Sequence, residues 1–113
     1  MTCRILAGAC FEREVLRDRE PIVVMFGAEW SGACHIVEPV LEDLALSYQT
    51  KIRIFRLDAE DNDLLVQEYG IRALPTFLFF SDGQIVDSLT GIVSRQQLKT
   101  RLESLIHVSK RNS

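Results

Sequence analysis

Two uninterrupted apolar segments constrain the fold of this chain of 113 residues more than any other feature. They lie at residues 22–26 and 77–80, and the second belongs to a strand expected at residues 76–80. A strand with one face in water alternates apolar and polar side chains, whereas a strand covered on both faces is apolar throughout. The two segments therefore predict central strands of a sheet that carries a layer of structure on each face.

A long amphipathic helix is expected after the first of these strands. Residues 33–48 carry apolar side chains at helical spacing, which predicts a helix with one buried face. Pro39 lies within this segment and should bend the helix, because proline lacks a backbone donor and crowds the preceding turn.

Shorter elements complete the pattern. We expect strands at residues 4–6, 52–57 and 84–89, and helices at residues 11–17, 61–69 and from Ser94 onwards. Gly70 suits the end of a helix, Ser94 suits the cap that begins one, and Asp82-Gly83 is a strong hairpin signal.

The order of these elements predicts an α/β fold, with a central mixed sheet of about five strands flanked by four helices. Strands separated by a helix should be joined by right-handed parallel crossovers, and the hairpin should add an antiparallel edge. We expect a single domain at residues 1–106, followed by a polar C-terminal tail at residues 107–113.

Charge and composition exclude several classes of partner. The formal net charge of -3 gives no electrostatic footprint for nucleic acid or for an anionic membrane surface. No apolar stretch has the length of a transmembrane helix and no signal peptide is recognisable, so a cytoplasmic location is expected. The three cysteines should then be thiols, although spacing alone does not decide whether Cys3 and Cys10 could pair.

The segment Trp30-Ser31-Gly32-Ala33-Cys34 stands between the first apolar strand and the long helix. Together with Pro39 in that helix and Leu74-Pro75-Thr76 at the second apolar strand, it resembles the thioredoxin family, whose motif is Trp-Cys-Gly-Pro-Cys. The likeness needs no gap over residues 11–106. It implies the thioredoxin fold and a cis peptide bond between Leu74 and Pro75.

The motif departs from the family at its attacking cysteine, which is replaced by Ser31. Thiol–disulfide exchange needs a thiolate, and a serine oxygen cannot form a disulfide. We interpret Ser31 as a helix N-cap rather than as a nucleophile. Cys34 matches the resolving cysteine and is the candidate catalytic residue. Two interpretations of it stay open: an inert buried thiol, or a thiol activated by the helix N-terminus.

Further departures affect the surroundings of the motif. Met25 stands where the family carries a buried acid for proton transfer, Ala33 replaces a proline, and Gly27 replaces an aromatic residue. Arg56 corresponds to the basic neighbour of that acid, and we expect it to reach solvent unless it finds another anion. Together these changes indicate that selection for dithiol chemistry has been lost.

Members of the family bind extended polypeptides in a shallow apolar groove. The matching residues, which we predict to contact a client protein or peptide, are Trp30, Ser31, Gly32, Ala33, Leu74, Pro75, Gly91 and Ile92. Trp30 suits an interface anchor, although it could equally pack on its own domain. No cofactor is expected, and the cysteines and histidines lack metal-ligand spacing.

Two functions from different classes follow from these observations. The first is a redox-inactive binding or chaperone-like module, which would use the groove without a thiol. The alternative is a monothiol thiol–disulfide oxidoreductase that acts through Cys34 in redox homeostasis. The oligomeric state is left open.

Overall fold

The computed structural model describes residues 4–111. Its strands are β1 (Arg4–Ile5), β2 (Ile22–Gly27), β3 (Arg53–Asp58), β4 (Thr76–Ser81) and β5 (Gln84–Thr90). Its α-helices are α1 (Gly32–Ser47), α2 (Asp63–Glu68) and α3 (Arg95–Arg111), and a 3-10 turn (Gly8–Cys10) and a π-helix (Glu12–Leu16) precede β2. The strands form one sheet in the order β1-β3-β2-β4-β5. The predicted α/β class with a mixed sheet of five strands is confirmed.

The two apolar segments lie side by side near the middle of the sheet, as β2 and β4. Every residue of both strands is buried. Val23 and Met25 belong to the apolar cluster that also contains residues of α1 and α3. Val24 and Phe26 belong to the cluster on the other face, which includes Val15 of the π-helix. The apolar character of these strands thus follows from burial on both faces.

The direction of β4 differs from the prediction. β1, β2 and β3 run parallel to one another, but β4 is antiparallel to β2. The parallel crossover expected between β3 and β4 is therefore wrong. In this chain α2 has six residues and covers about 9 Å along its axis, whereas β3 is about 20 Å long, so the helix does not run the length of the sheet as in a parallel crossover. β4 begins at the end of the sheet where β3 stops.

The helix expected at residues 11–17 is wider than an α-helix. The backbone N–H of Arg17 donates to the carbonyl of Glu12 at 3.0 Å, five residues back. Val15 is fully buried, as the apolar spacing predicts. Arg53 of β3 donates to the Glu14 carboxylate at 2.6 Å and also pairs with Asp18. The apolar spacing predicts which face of this segment is buried. It does not predict the contacts of the segment with β3, because these join residues that are distant in sequence.

Turn and cap signals in the sequence are confirmed. Asp82 and Gly83 have φ angles of 53° and 77°, which is the geometry of a tight hairpin between β4 and β5. Ser94 Oγ accepts from the Gln97 N–H at 3.0 Å, and Gln97 Oε1 accepts from the Ser94 N–H at 2.8 Å. This reciprocal pair is a capping box, and it fixes where α3 begins.

The last helix is longer than predicted. A polar tail was expected from residue 107, but α3 continues to Arg111. Leu105 is buried, and Ser109 Oγ lies 2.9 Å from Ser81 Oγ of β4. Because these contacts are made across the fold, the polar composition of residues 107–111 does not end the helix. Residues 112–113 of the predicted tail lie outside the described residues.

Two polar contacts fix α1 against α3. Arg95 lies 2.5 Å from the carboxylate of Asp43. Tyr48, directly after α1, donates its hydroxyl hydrogen bond to Glu103 of α3. Burial, with this hydrogen bond and the charge of Glu103, raises the pKa of Tyr48 to about 12. The helix that carries the motif at its first turn is therefore held at its opposite end.

Candidate functional site

Loops that carry the predicted site residues meet at one end of the sheet. In the register of the strands, Phe26 of β2 lies opposite Thr76 of β4, and Thr76 lies opposite Thr90 of β5. The next residues along these strands are Pro75 and Gly91, and the Gly91 N–H donates to the Pro75 carbonyl at 2.8 Å. The motif that follows β2 is therefore next to the loops around Pro75 and Gly91.

Ser31 caps the helix that begins with the motif. Its Oγ accepts a hydrogen bond from the backbone N–H of Cys34 at 3.2 Å, and its backbone is extended, as at an N-cap. The residue is 6% exposed. The N-cap interpretation is confirmed, and the side chain of Ser31 offers little surface to a partner.

The thiol of Cys34 has no contact with solvent, since the residue is 0% exposed. A methyl group added at Gly27 would lie 3.2 Å from Cys34 Sγ and 3.3 Å from Met25 Cε. The sulfur thus fills the space that the glycine leaves open, next to an apolar thioether. Such surroundings are those of a small hydrophobic core residue rather than of an exposed, electropositive thiol site.

Arg56 is paired with a carboxylate, so the expectation that it reaches solvent is wrong. Its Nη1 lies 3.3 Å from Glu38 Oε1, and its side chain is 22% exposed. Glu38 comes from α1, whereas the acid that the resemblance implies would stand at position 25 of β2. A cavity of about 140 Å³ opens beside this pair, with Met25 and Gly27 in its lining. In this chain the negative partner of Arg56 therefore lies on the helix, whereas the family pattern would place it on the sheet.

His35 braces the turn before the motif instead of assisting the thiol. Its Nε2 donates to the carbonyl oxygen of Glu29 at 2.6 Å, and its Nδ1 lies 3.9 Å from Glu38 Oε2. Both ring nitrogens therefore face oxygen atoms of Glu29 and Glu38. The sequence did not indicate these contacts, because spacing along a helix does not fix the rotamer of an exposed ring.

Large apolar side chains are exposed around this end of the sheet. Trp30 is 69% exposed and Ile92 is 60% exposed. Space beside Gly32 is open, since an added methyl group would meet no atom within 4 Å. The other predicted binding residues are less accessible: Ala33, Leu74 and Gly91 are partly buried and Pro75 is buried. The bond between Leu74 and Pro75 is cis, as the resemblance implies.

Cys10 is the other described thiol and it is free and partly buried. It packs against the cluster that contains Phe26, on the opposite face of the sheet from the cluster of Met25. Since Cys34 lies beside Met25, the two described thiols are on different sides of β2. Cys3, and with it the question of a bridge to Cys10, lies outside the described residues.

Other site classes find no support in the part of the chain that is described. Over residues 4–111, no three or more histidine, cysteine, aspartate or glutamate side chains are grouped so that they could hold a metal ion. No helix in the same range combines the length and the apolar character that a membrane crossing requires.

Comparison with known proteins gives a consistent result. The family model described as thioredoxin matches residues 2–104. The chain is 34% identical to thioredoxin of Pyropia yezoensis over 106 residues, which cover 94% of this chain and 99% of that protein. It is 36% identical to thioredoxin 1 of Synechococcus elongatus over 98 residues, covering 87% and 92%. It is also 36% identical to thioredoxin of Pseudomonas aeruginosa over 101 residues, covering 89% and 94%.

Proposed function

This chain belongs to the thioredoxin family, and from that premise we propose that it is a redox-inactive member that binds an extended client polypeptide. Binding takes place at the Trp30 surface. We define this surface as Trp30, Ser31, Gly32, Ala33, Leu74, Pro75, Gly91 and Ile92. The observation that carries the proposal is the pairing of an exposed Trp30 with a fully buried Cys34.

A dithiol cycle needs two sulfurs in reach of each other. A thiolate attacks the substrate disulfide, and a second thiol then releases the product from the mixed disulfide. Here the hydroxyl of Ser31 holds the first turn of α1, and Cys34 is enclosed by Gly27 and Met25. Cys10 cannot substitute as the second thiol because it lies on the other face of the sheet.

The Trp30 surface retains what a binding site requires. An exposed indole is a large apolar anchor with one hydrogen-bond donor, and such side chains dominate binding energy at interfaces. Removing Ile92 from water on binding contributes about 2 kcal/mol. Backbone groups of the loops around Leu74 and Ile92 offer donors and acceptors to an extended segment. None of these three contributions depends on a thiol.

Disulfide reductase activity tests the redox half of the proposal. Reduction of insulin by dithiothreitol should proceed at the uncatalysed rate with the unmodified chain, while thioredoxin of Pseudomonas aeruginosa serves as the active control. The variant Ser31→Cys should form an intramolecular disulfide with Cys34 on oxidation and gain measurable activity. Robust catalytic turnover by the unmodified chain would overturn the redox-inactive assignment.

Binding of a peptide without disulfides tests the other half. The reduced and alkylated B chain of insulin is a suitable extended probe, with calorimetry as the measurement. Trp30→Ala should weaken binding about tenfold or more. Leu64→Ala is the matched control, because Leu64 is 81% exposed and lies on α2. Equal affinity for both variants would remove Trp30 from the site.

A second candidate function is monothiol exchange through Cys34, and the names of the relatives favour it. In that reaction the Cys34 thiolate attacks a disulfide, a mixed disulfide forms, a thiolate leaves, and an external thiol such as glutathione completes the exchange. Alkylation by iodoacetamide followed by mass spectrometry separates the candidates. We expect native Cys34 to react on the order of 100-fold more slowly than in the unfolded chain. Reaction at the same rate in both states would favour the monothiol function.

A further inference from the structure

The described arginine side chains differ in whether they form an ion pair with a carboxylate. Seven of them form an ion pair with a carboxylate: Arg13, Arg17, Arg19, Arg53, Arg56, Arg95 and Arg101. Among arginines whose side chains the structure describes, Arg72 alone has no such partner. It is exposed and lies in the loop between α2 and β4. This guanidinium therefore keeps its donors available for a ligand.

Arg72 lines a half-open cavity of about 220 Å³. One wall is the loop at residues 69–73, and the other wall is formed by Thr76, Leu78, Ser88 and Thr90 of β4 and β5. No aspartate or glutamate belongs to the lining. The cavity therefore has one positive charge and no carboxylate, in a chain whose net charge is -3.

Hydroxyl groups supply further hydrogen-bond donors beside the positive charge of Arg72. Ser88 lies opposite Leu78 and Thr90 lies opposite Thr76, so their side chains share the sheet face of Leu78, on the side of α2. Within the described residues, neither the Ser88 nor the Thr90 hydroxyl has a hydrogen bond to protein. The Thr76 hydroxyl, in contrast, donates to the Ala73 carbonyl at 2.6 Å. Arg72 and two residues with unused hydroxyls thus line the same cavity.

We propose that this cavity binds a phosphate group, held by the Arg72 guanidinium and by the hydroxyls of Ser88 and Thr90. Arginine matches phosphate with two parallel hydrogen bonds, and the hydroxyls supply donors to the remaining oxygens. A phosphate offers three or four oxygens and more negative charge to these donors, whereas a carboxylate offers two oxygens and a single charge. The lining contains neither Leu74 nor Pro75, so the site does not depend on the Trp30 surface.

One acidic neighbour limits the affinity. Tyr69 lines the cavity, and its pKa is raised by burial and by the negative charge of Glu68. The Glu68 carboxylate is therefore close enough to affect the cavity electrostatically. Removing the charge with Glu68→Gln should therefore strengthen phosphate binding severalfold, since a like charge near the anion is lost.

The test is a titration of the full chain with inorganic phosphate, followed by ¹H–¹⁵N chemical shifts, with sodium chloride keeping the ionic strength constant. Saturable shifts are expected at Gly70, Arg72, Ser88 and Thr90. Arg72→Gln should weaken binding about tenfold or more, and Ser88→Ala a few-fold. Arg19→Gln is the matched control, because it removes the same charge from an exposed arginine paired with Asp82.

Two further ligands sharpen the outcome. If the natural ligand is an esterified phosphate, O-phosphoserine should bind more tightly than inorganic phosphate. If the natural ligand is the free ion, O-phosphoserine should bind no more tightly. Saturable binding of either compound supports the site. Acetate should bind more weakly than phosphate. The proposal is overturned if shifts fail to saturate, if Arg19→Gln weakens binding as much as Arg72→Gln, or if acetate binds as well as phosphate.

Discussion

The first turn of α1 and the loop before β4 are neighbours at the end of the sheet, yet they differ in how far they keep the thioredoxin pattern. At the helix, the attacking cysteine, the proline between the cysteines and the nearby buried acid are replaced by Ser31, Ala33 and Met25. At the loop, Leu74-Pro75 keeps its place and its cis bond. The residues that match the family's thiol motif differ on one side, while the loop with the cis bond is retained on the other.

The proposed function requires this difference, because it keeps client binding without the thiol pair. Ser31 still caps the N-terminus of α1, because its hydroxyl oxygen accepts the hydrogen bond from the Cys34 N–H. This capping role does not need a thiol. Arg56 keeps a partner through Glu38 of α1. Ser31 and Arg56 thus both have partners at the altered helix end, and the predictions below ask whether this end now serves stability while Trp30 serves binding.

The largest effect is expected from restoring the missing acid with Met25→Asp. Met25 is 1% exposed and lies beside Cys34, so the variant should lose about 3 kcal/mol of unfolding free energy in a urea titration at pH 8. The loss should be smaller at pH 4, where the carboxyl group is protonated and its burial is less costly. Met25→Leu is the control and should lose less than about 1.5 kcal/mol. An unchanged midpoint for Met25→Asp would mean that this position still accommodates an acid.

A smaller loss is expected from Cys34→Ser. The hydroxyl would be buried where the thiol now packs against Gly27 and Met25, and an unpaired buried hydroxyl costs about 1–3 kcal/mol. Cys10→Ser at a partly buried position is the comparison and should cost less. Chemical unfolding of the two variants measures the difference. Equal stabilities would contradict the role of Cys34 as a core residue.

Loss of the helix cap ranks next. Ser31→Ala should lower the unfolding free energy by about 1 kcal/mol, because the N–H of Cys34 then loses its acceptor. Ser94→Ala removes the corresponding cap of α3 and should cost a similar amount. Because Ser31 belongs to the Trp30 surface but is only 6% exposed, Ser31→Ala should weaken peptide binding less than Trp30→Ala does, and Ser94→Ala should leave it unchanged. Equal loss of binding for Ser31→Ala and Ser94→Ala would show that the effect comes from lost stability and not from the surface.

The smallest stability change is expected from Trp30→Ala, at the centre of the proposed binding surface. Because Trp30 is 69% exposed, its removal should change the unfolding free energy by less than about 0.5 kcal/mol. Phe77→Ala in the core of β4 should instead cost about 3–5 kcal/mol. A large loss of stability for Trp30→Ala would show that the indole packs on its own domain, and would break the comparison between the two regions.

Much of the fold could be predicted from local signals. The apolar segments of β2 and β4, the stripe of α1 and the cap at Ser94 each depend on neighbours in sequence, so composition and spacing were sufficient. The prediction failed where distant parts of the chain decide. β4 pairs antiparallel with β2 although a helix separates it from β3, and α3 continues through residues 107–111, where Ser109 contacts Ser81 of β4.

The candidate site, like the fold, could be predicted from the sequence only in part. The sequence alone determined that position 31 carries no sulfur, and it therefore fixed that the first turn of α1 cannot hold a disulfide. Only the tertiary structure decided that Cys34 is enclosed, that Arg56 meets Glu38, and that Arg72 has no carboxylate partner. The physical reason is range: the presence of an atom is a property of one residue, whereas burial and ion pairing depend on which distant side chains the fold brings within a few ångströms.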